Sequence, residues 1–544
     1  MAEERQRKFL KGAVILAVAG ILNKVLGAVF RIPLTNWIGA EGMAYYGVAY
    51  SIYSALVVIG TAGVPVAVSR LVSENIAVGR YKNAHKIFHI AFLIMLGIGI
   101  VCSCICFFGA DVIAVRVSRI PQSALALRAM APALLFVPMF STFRGFFNGR
   151  QNMNPTALSE ITEQLVRCIT GLVLAYYFAF KVKSAVQSAA GATFGASAGA
   201  LAGLLIIFLI FLLNRKNFRK KIESGDQTEE GGGELAKKII VIAVPIIIGC
   251  EIMPIMTLVD TAIVTRVLQA TGWTAQQSEY LYGLFSGFCN ALIAFPQIFT
   301  QAVAVSLVPA ISAHYRLKDM QKANSTIDLG YRTTMIMAFP CAFGIFVLAE
   351  PILKLLYFQQ PQACHDAAPT LMVMAISIIF LAIMQTSTSV LQSVGKQTIP
   401  VRNLAIGCAG KVFVTYFLVG VHSVNIMGAA FGTMFAYVVA MILNGLAVRK
   451  YTGIRFRYGL TYARPGIAAA LMAAWAFGIY HLLSFLLDGH SPVMVNMASA
   501  GIAILSAMVV YAFLIFAVKA ISLEELSEIP HGDRLARIMG RFIK

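Results

Sequence analysis

Along this chain, apolar runs of about twenty to thirty residues alternate with short polar breaks, and the alternation repeats fourteen times. The runs cover Leu10–Leu34, Met43–Ser69, Ile87–Phe108, Ala124–Phe147, Thr156–Phe180, Ser188–Leu213, Ile239–Val264, Leu281–Pro309, Ile327–Ala349, Ala367–Val394, Val401–Val421, Ile426–Val448, Pro465–Leu487 and Val493–Val518. Each is long enough to cross a hydrocarbon core of about 30 Å as a helix. A backbone facing lipid must satisfy its own hydrogen bonds, and the runs are about twice the length that a barrel strand requires. The pattern therefore predicts an all-α polytopic membrane protein of about fourteen transmembrane helices and excludes a transmembrane β-barrel.

The longest polar break, Asn214–Lys238, carries a basic cluster, then acids, then three glycines, and reads as a flexible cytoplasmic linker. It divides the first twelve spans into two sets of six. Short motifs recur across that division. Tyr46-Gly47 returns as Tyr282-Gly283, Val66–Ser69 as Val303–Ser306, and the Gly191–Gly195 motif as Gly428–Gly432, at offsets of 236, 237 and 237. Gly149-Arg150-Gln151 returns as Gly395-Lys396-Gln397 at 246. An even number of spans per repeat gives both copies the same orientation, related by an axis along the membrane normal. The expected organisation is an N-lobe (1–213), the linker (214–238), a C-lobe (239–450), spans 13 and 14 (451–519) and a cytoplasmic tail (520–544). Two parallel six-helix lobes would form a V-shaped central cleft, with two extra C-terminal helices outside the repeat.

Composition sharpens this picture: 59% of the 544 residues are hydrophobic and 12% charged, with a mean hydropathy of +0.78, where soluble domains carry about 25% charged residues. A net charge of +20 would suit nucleic acid, but the 44 Lys and Arg residues are distributed by side. With the N-terminus inside, 33 fall in cytoplasmic segments and 7 outside (Arg116, Arg119, Arg128, Lys181, Lys183, Arg266, Lys354), and 4 lie at membrane depth (Lys24, Arg31, Arg167, Lys411). That bias places both termini in the cytoplasm and assigns the charge to orientation and anionic lipid rather than nucleic acid. Arg5–Lys8 and the following apolar run resemble a secretory signal, but the run continues to Leu34 and reads as an uncleaved first span. Nine scattered Cys show neither zinc nor disulfide spacing.

Ionisable residues at membrane depth are costly and usually face a bundle interior or wet cavity. In span 1, Asn23, Lys24 and Arg31 stand out, with Lys24 and Arg31 two helical turns apart on one face. They form a cationic cavity wall for an anionic headgroup, or else Arg31 snorkels outward while Lys24 pairs with a carboxylate. Span 5 carries Glu160, Glu163 and Arg167, and Glu163 to Arg167 is a favourable i to i+4 ion pair. In span 7, Glu251 and Asp260 accompany Pro245 and Pro254, which predict a kinked helix. Asp260 is a candidate to balance cavity cations or bind a coupling cation, and Lys411 in span 11 is a further candidate for substrate. No nucleophile elbow, P-loop or metal-ligand cluster occurs, and apart from the linker the loops are too short for a catalytic domain, so no enzyme is expected.

The repeats, the extra helix pair and the motifs Asn23–Gly27, Arg31–Leu34, Gly39–Gly42, Asn154–Ser159 and Glu163–Arg167 together resemble a known group. They are similar to the multidrug/oligosaccharidyl-lipid/polysaccharide (MOP) exporter superfamily, in the polysaccharide-biosynthesis branch of stage V sporulation protein B, related to the MurJ lipid II flippases. The resemblance implies a bacterial plasma-membrane flippase that moves an undecaprenyl-pyrophosphate-linked cell-envelope precursor, lipid II or a polysaccharide repeat unit, to the outer leaflet by alternating access. It implies a lipid-linked pyrophosphate substrate, contact with membrane lipids and cell-wall synthesis enzymes, no cofactor, coupling to Na⁺, H⁺ or the membrane potential, and a monomer. Lys24 and Arg31 match two basic residues of the flippases' first helix, with Lys for the first Arg and one extra residue between them. The substrate-binding set is then Asn23, Lys24, Arg31 and Lys411, and the coupling or cavity charges are Glu163, Arg167, Glu251 and Asp260. The segment Val259–Thr261 also matches a span 7 motif of multidrug and toxic-compound extruders, so a cation antiporter is the alternative function. A non-transporting envelope-synthesis scaffold is a third.

Overall fold

The computed structural model describes residues 2–520 apart from 224, 225, 227, 229 and 455, so nearly all of the tail at 520–544 lies outside the described residues. Within them the chain forms helices and no strand. It packs as two compact units, Met1–Gly283 and Leu284–Lys544. The first unit holds α1 (Ala2–Thr61), α2 (Gly63–Ala77), α3 (Tyr81–Phe108), α4 (Ser123–Gly149), α5 (Asn154–Tyr177), α6 (Ala185–Glu223), α7 (Gly232–Ala270) and α8 (Ala275–Gly283). The second holds α9 (Asn290–Arg316), α10 (Met320–Val347), the short α11 (Ala349–Leu356), α12 (Pro361–Ser393), α13 (Thr398–Val419), α14 (Met427–Thr452), α15 (Arg464–Leu486) and α16 (Pro492–Ala517).

Among the described residues thirteen helical runs are long and apolar enough to cross a membrane. One of them, Leu22–Ala77, has 56 residues, about 84 Å of helix against a core of about 30 Å. It is divided at Gly39, whose φ of 64° and ψ of −169° lie outside helical space and suit a residue without a side chain. The Gly39–Gly42 motif is thus the turn between spans 1 and 2, and the runs give the fourteen crossings read from the sequence. The helices also extend into the segment read as linker: α6 ends at Glu223 and α7 begins at Gly232. Of the described residues between them, Asp226 accepts from Arg80 at 3.3 Å and the Glu230 carbonyl accepts from Lys86 at 2.9 Å.

One device positions the polar residues of α5. Gly191, Gly195, Gly199 and Gly203 recur every fourth residue on α6, making a stripe that admits a neighbouring backbone closely. A methyl group at Gly195 would sit 2.5 Å from the Arg167 carbonyl oxygen, and one at Gly199 would sit 2.5 Å from that of Glu163. The absence of side chains there lets α5 lie against α6 and fixes which way Glu160, Glu163 and Arg167 project. The second unit repeats the device: Gly428 abuts Leu418 and Val419, and Gly432 abuts Thr415 and Lys411, seating α13 on α14.

The sequence leaves open where spans 13 and 14 pack. Here α15 and α16 join through Met472, Ala473, Ala476, Ala503 and Ala507, with Leu348 in the same core. The Tyr511 hydroxyl donates to the Ile336 carbonyl at 2.7 Å, and Asn496 donates to that of Pro351 at 3.2 Å, fixing the pair to α10 and α11.

Candidate functional site: a two-arginine tyrosine cage

Spans 1, 2 and 5 meet in the first unit. Span 1 packs on α5 with Phe30 against Gly171 and Gly27 against Gln164, while the Cys168 thiol points at the Leu26 carbonyl, 3.6 Å away. This brings Arg31 to the tyrosines of span 2. Tyr46, Tyr50 and Tyr53 follow at intervals of four and three residues, one face of a helix. Tyr46 and Tyr50 stack with ring centres 5.8 Å apart and 11° between planes.

The Arg31 guanidinium lies 5.6 Å from the centre of the Tyr50 ring and 5.9 Å from that of Tyr46. From α5, Arg167 also comes to 5.6 Å from the centre of the Tyr50 ring. Two arginines 136 positions apart in sequence thus flank one aromatic ring, an arrangement that holds guanidinium groups by cation–π attraction while leaving N–H donors for an anion.

The ion pair expected between Glu163 and Arg167 is not formed. Glu163 instead pairs with Arg144 of α4 at 2.9 Å; the same guanidinium donates to the Ser159 hydroxyl at 2.9 Å and lies 4.0 Å from Glu160. Ser159 in turn donates to the Gly203 carbonyl at 3.0 Å, which ties the network to the glycine stripe. Arg144 also stacks on Phe140, 4.1 Å from the ring centre. A guanidinium reaching from another helix offers better geometry than an i to i+4 partner on the same one, and it removes both carboxylates from competition for Arg167. Among the described residues neither Arg31 nor Arg167 has a carboxylate ion-pair partner. The region is therefore cationic although α5 carries two acids.

The other candidates lie apart from the cage. Lys24 is exposed, about 10 Å along span 1 from Arg31. Asn23, beside it, has an amide oxygen with no hydrogen-bond partner among the described residues, as does one carboxylate oxygen of Glu251 on α7. Asp260 is buried at 4% exposure on α7; the next residue, Thr261, shares a 2.7 Å hydrogen bond with Tyr282. Lys411, in the second unit, is 1% exposed and offers no surface to a ligand in this state. The sequence reading missed Arg144, counted there with the cytoplasmic cations, and the three tyrosines. The tyrosines' four-and-three spacing was a legible signal.

Comparison with known proteins places this arrangement. The family model described as "Polysaccharide biosynthesis protein" matches residues 9–315, more than half the chain. The chain belongs to this family. A second model, MatE, matches residues 245–417, and both put the protein in the MOP superfamily. Stage V sporulation protein B of Bacillus subtilis (strain 168) is 27% identical over 538 residues, covering 97% of this chain and 99% of that protein. Lipid II flippase MurJ of the same organism is 24% identical over 462 residues, 83% of this chain and 84% of the relative. A solved structure of a lipid II flippase MurJ, in an inward closed conformation, superposes with a TM-score of 0.65 at 15% identity, covering 93% of this chain and 99% of the other. The likeness in three dimensions establishes the fold, and the family's membership makes this chain a multi-pass membrane protein of a transport superfamily.

Proposed function

We propose that this protein is a flippase for a lipid-linked glycan pyrophosphate of the bacterial envelope, moving it from the cytoplasmic to the outer leaflet by alternating access, with both termini in the cytoplasm. The observation that carries the reading is the tyrosine-held pair Arg31 and Arg167, whose neighbouring acids are both engaged by Arg144. A pyrophosphate brings two or more negative charges and an array of acceptor oxygens, which planar guanidinium forks match bidentately. Lys24, two turns along the same helix and exposed, would meet the headgroup first and hand it toward the arginines. Asp260, buried on α7, is the candidate coupling charge for Na⁺, H⁺ or the membrane potential. The relatives named as flippases support this substrate class.

Export of organic cations is the second reading, favoured by the MatE match. It requires carboxylates open to the substrate, whereas the acids of α5 are neutralised and the free charges beside them are positive, which would repel such a cargo. The two readings separate in one experiment. Leaflet accessibility of lipid II and of other lipid-linked glycans is measured in cells that depend on this protein, carrying either the wild type or Lys24→Gln/Arg31→Gln/Arg167→Gln. The triple variant should insert normally and leave the precursor on the inner leaflet; normal flipping by that variant overturns the headgroup assignment.

A further inference from the structure

Placing arginine on the outer side of a membrane protein runs against the orientation bias, so those that occur there call for a reason. Of the seven outer Lys and Arg residues, Arg128 is paired with Asp111 and Lys354 with Glu350. Three others, Arg116, Arg119 and Arg266, converge with Val115 and Pro121 on one cleft of about 580 Å³ in the first unit. That volume falls in the range of small-ligand pockets, roughly 300–1,000 Å³.

The cleft is built rather than incidental. The segment after α3 passes through a wide helical turn at 113–117 to Arg119, whose φ of 54° is left-handed and turns the chain sharply. Three side chains of α7 lock it: Thr265 donates to the Ser118 carbonyl, Arg266 to that of Arg116 at 2.6 Å, and Gln269 to that of Arg119 at 3.4 Å. These bonds occupy the backbone carbonyls, the negative dipoles that would otherwise soften the positive charge. All three arginines are exposed, and among the described residues none has a carboxylate partner. The nearest acid in sequence, Asp111, is taken by Arg128.

We propose that Arg116, Arg119 and Arg266 form a second anion site, for the phosphate or pyrophosphate of a lipid headgroup on the outer leaflet, separate from the cage of Arg31 and Arg167. Three guanidiniums around one cleft suit a multiply charged phosphate group far better than a carboxylate. The site's position outside rests on the orientation of the proposed function; its affinity for phosphate does not.

The test uses the full chain with its cage neutralised (Lys24→Gln/Arg31→Gln/Arg167→Gln), so that the result is independent of whether the cage binds cargo. Inorganic pyrophosphate is titrated calorimetrically into this protein in detergent, and retained phosphatidylglycerol is counted by native mass spectrometry after release from nanodiscs. Arg116→Gln/Arg119→Gln is then added; it spares Arg266 and hence the bond to the Arg116 carbonyl, and an unchanged melting temperature confirms that the variant is folded. Loss of a charge-assisted hydrogen bond should weaken binding roughly tenfold per arginine. Weakened pyrophosphate binding with unchanged lipid retention assigns the site to a pyrophosphate head, and reduced retention of phosphatidylglycerol alone assigns it to a phospholipid head. If neither pyrophosphate binding nor lipid retention depends on Arg116 and Arg119, the proposal is overturned.

Discussion

The two repeats build the same helix pair and use it differently. In the first unit the glycine stripe of α6 seats α5 so that Arg167 projects toward Tyr46 and Tyr50 and stays partly accessible. In the second unit Gly432 seats α13 on α14, and the cation facing that contact, Lys411, is 1% exposed. A shared scaffold therefore ends in a partly exposed guanidinium in one half and a sealed ammonium in the other. The difference follows from the surroundings. A guanidinium needs only a ring face and a few acceptors to lie open at membrane depth, and span 2 supplies three tyrosines beside it. The repeat also preserves a smaller feature: Arg150 stacks at 4.2 Å from Phe218 in one half, and Lys396 lies 5.2 Å from Tyr451 in the other. The two units share this helix packing and the cation–aromatic pair, and differ in how their interior cations are placed.

The most severe way to break the comparison is to fill the stripe. Gly195→Leu would force the side chain into the Arg167 backbone and should abolish accumulation of folded protein, read by fluorescence-detected size exclusion. Gly445→Leu on α14, where a Cβ meets nothing within 4 Å, should be tolerated. Equal effects would mean that the stripe does not seat α5. A smaller loss is expected from Arg144→Met, which strands two partly buried carboxylates and should lower stability by about 3–5 kcal/mol. Adding Glu160→Gln and Glu163→Gln should recover most of it in thermal melts, because the neutral amides no longer need a counter-ion. The mildest change sharpens the contrast between the two cations. Lys411→Met should lower the melting temperature, equivalent to about 1–3 kcal/mol for a lost buried polar partner, yet leave transport per folded molecule within about twofold. Arg167→Gln should do the reverse. A transport defect in Lys411→Met at unchanged stability would place that lysine in the substrate path after all.

Much of this was readable in advance, because a bilayer leaves a chain few choices. Apolar runs of membrane-crossing length define the helices, and short motifs recur along the chain at an offset near 237. The scarcity of charge at membrane depth singled out Lys24, Arg31, Arg167, Asp260 and Lys411 as residues that had to be explained. The boundary between spans 1 and 2 was also legible at Gly39–Gly42, since a left-handed turn there needs glycine.

Other features depended on contacts between distant residues. Glu163 lies four positions before Arg167, and local spacing favours that pair; Arg144, nineteen positions earlier, takes the carboxylate because helix packing brings a better-directed fork to it. Spans 13 and 14 carry few polar residues, so hydrophobicity alone could not orient them; hydrogen bonds from Tyr511 and Asn496 tie them to α10 and α11. The order of apolar and polar residues dictated about fourteen membrane-crossing helices with a few costly charges at depth. Which of those charges are neutralised, which are sealed and which lie partly exposed beside an aromatic ring follows from the packing of distant segments, because charge pairing and burial are properties of neighbours in space.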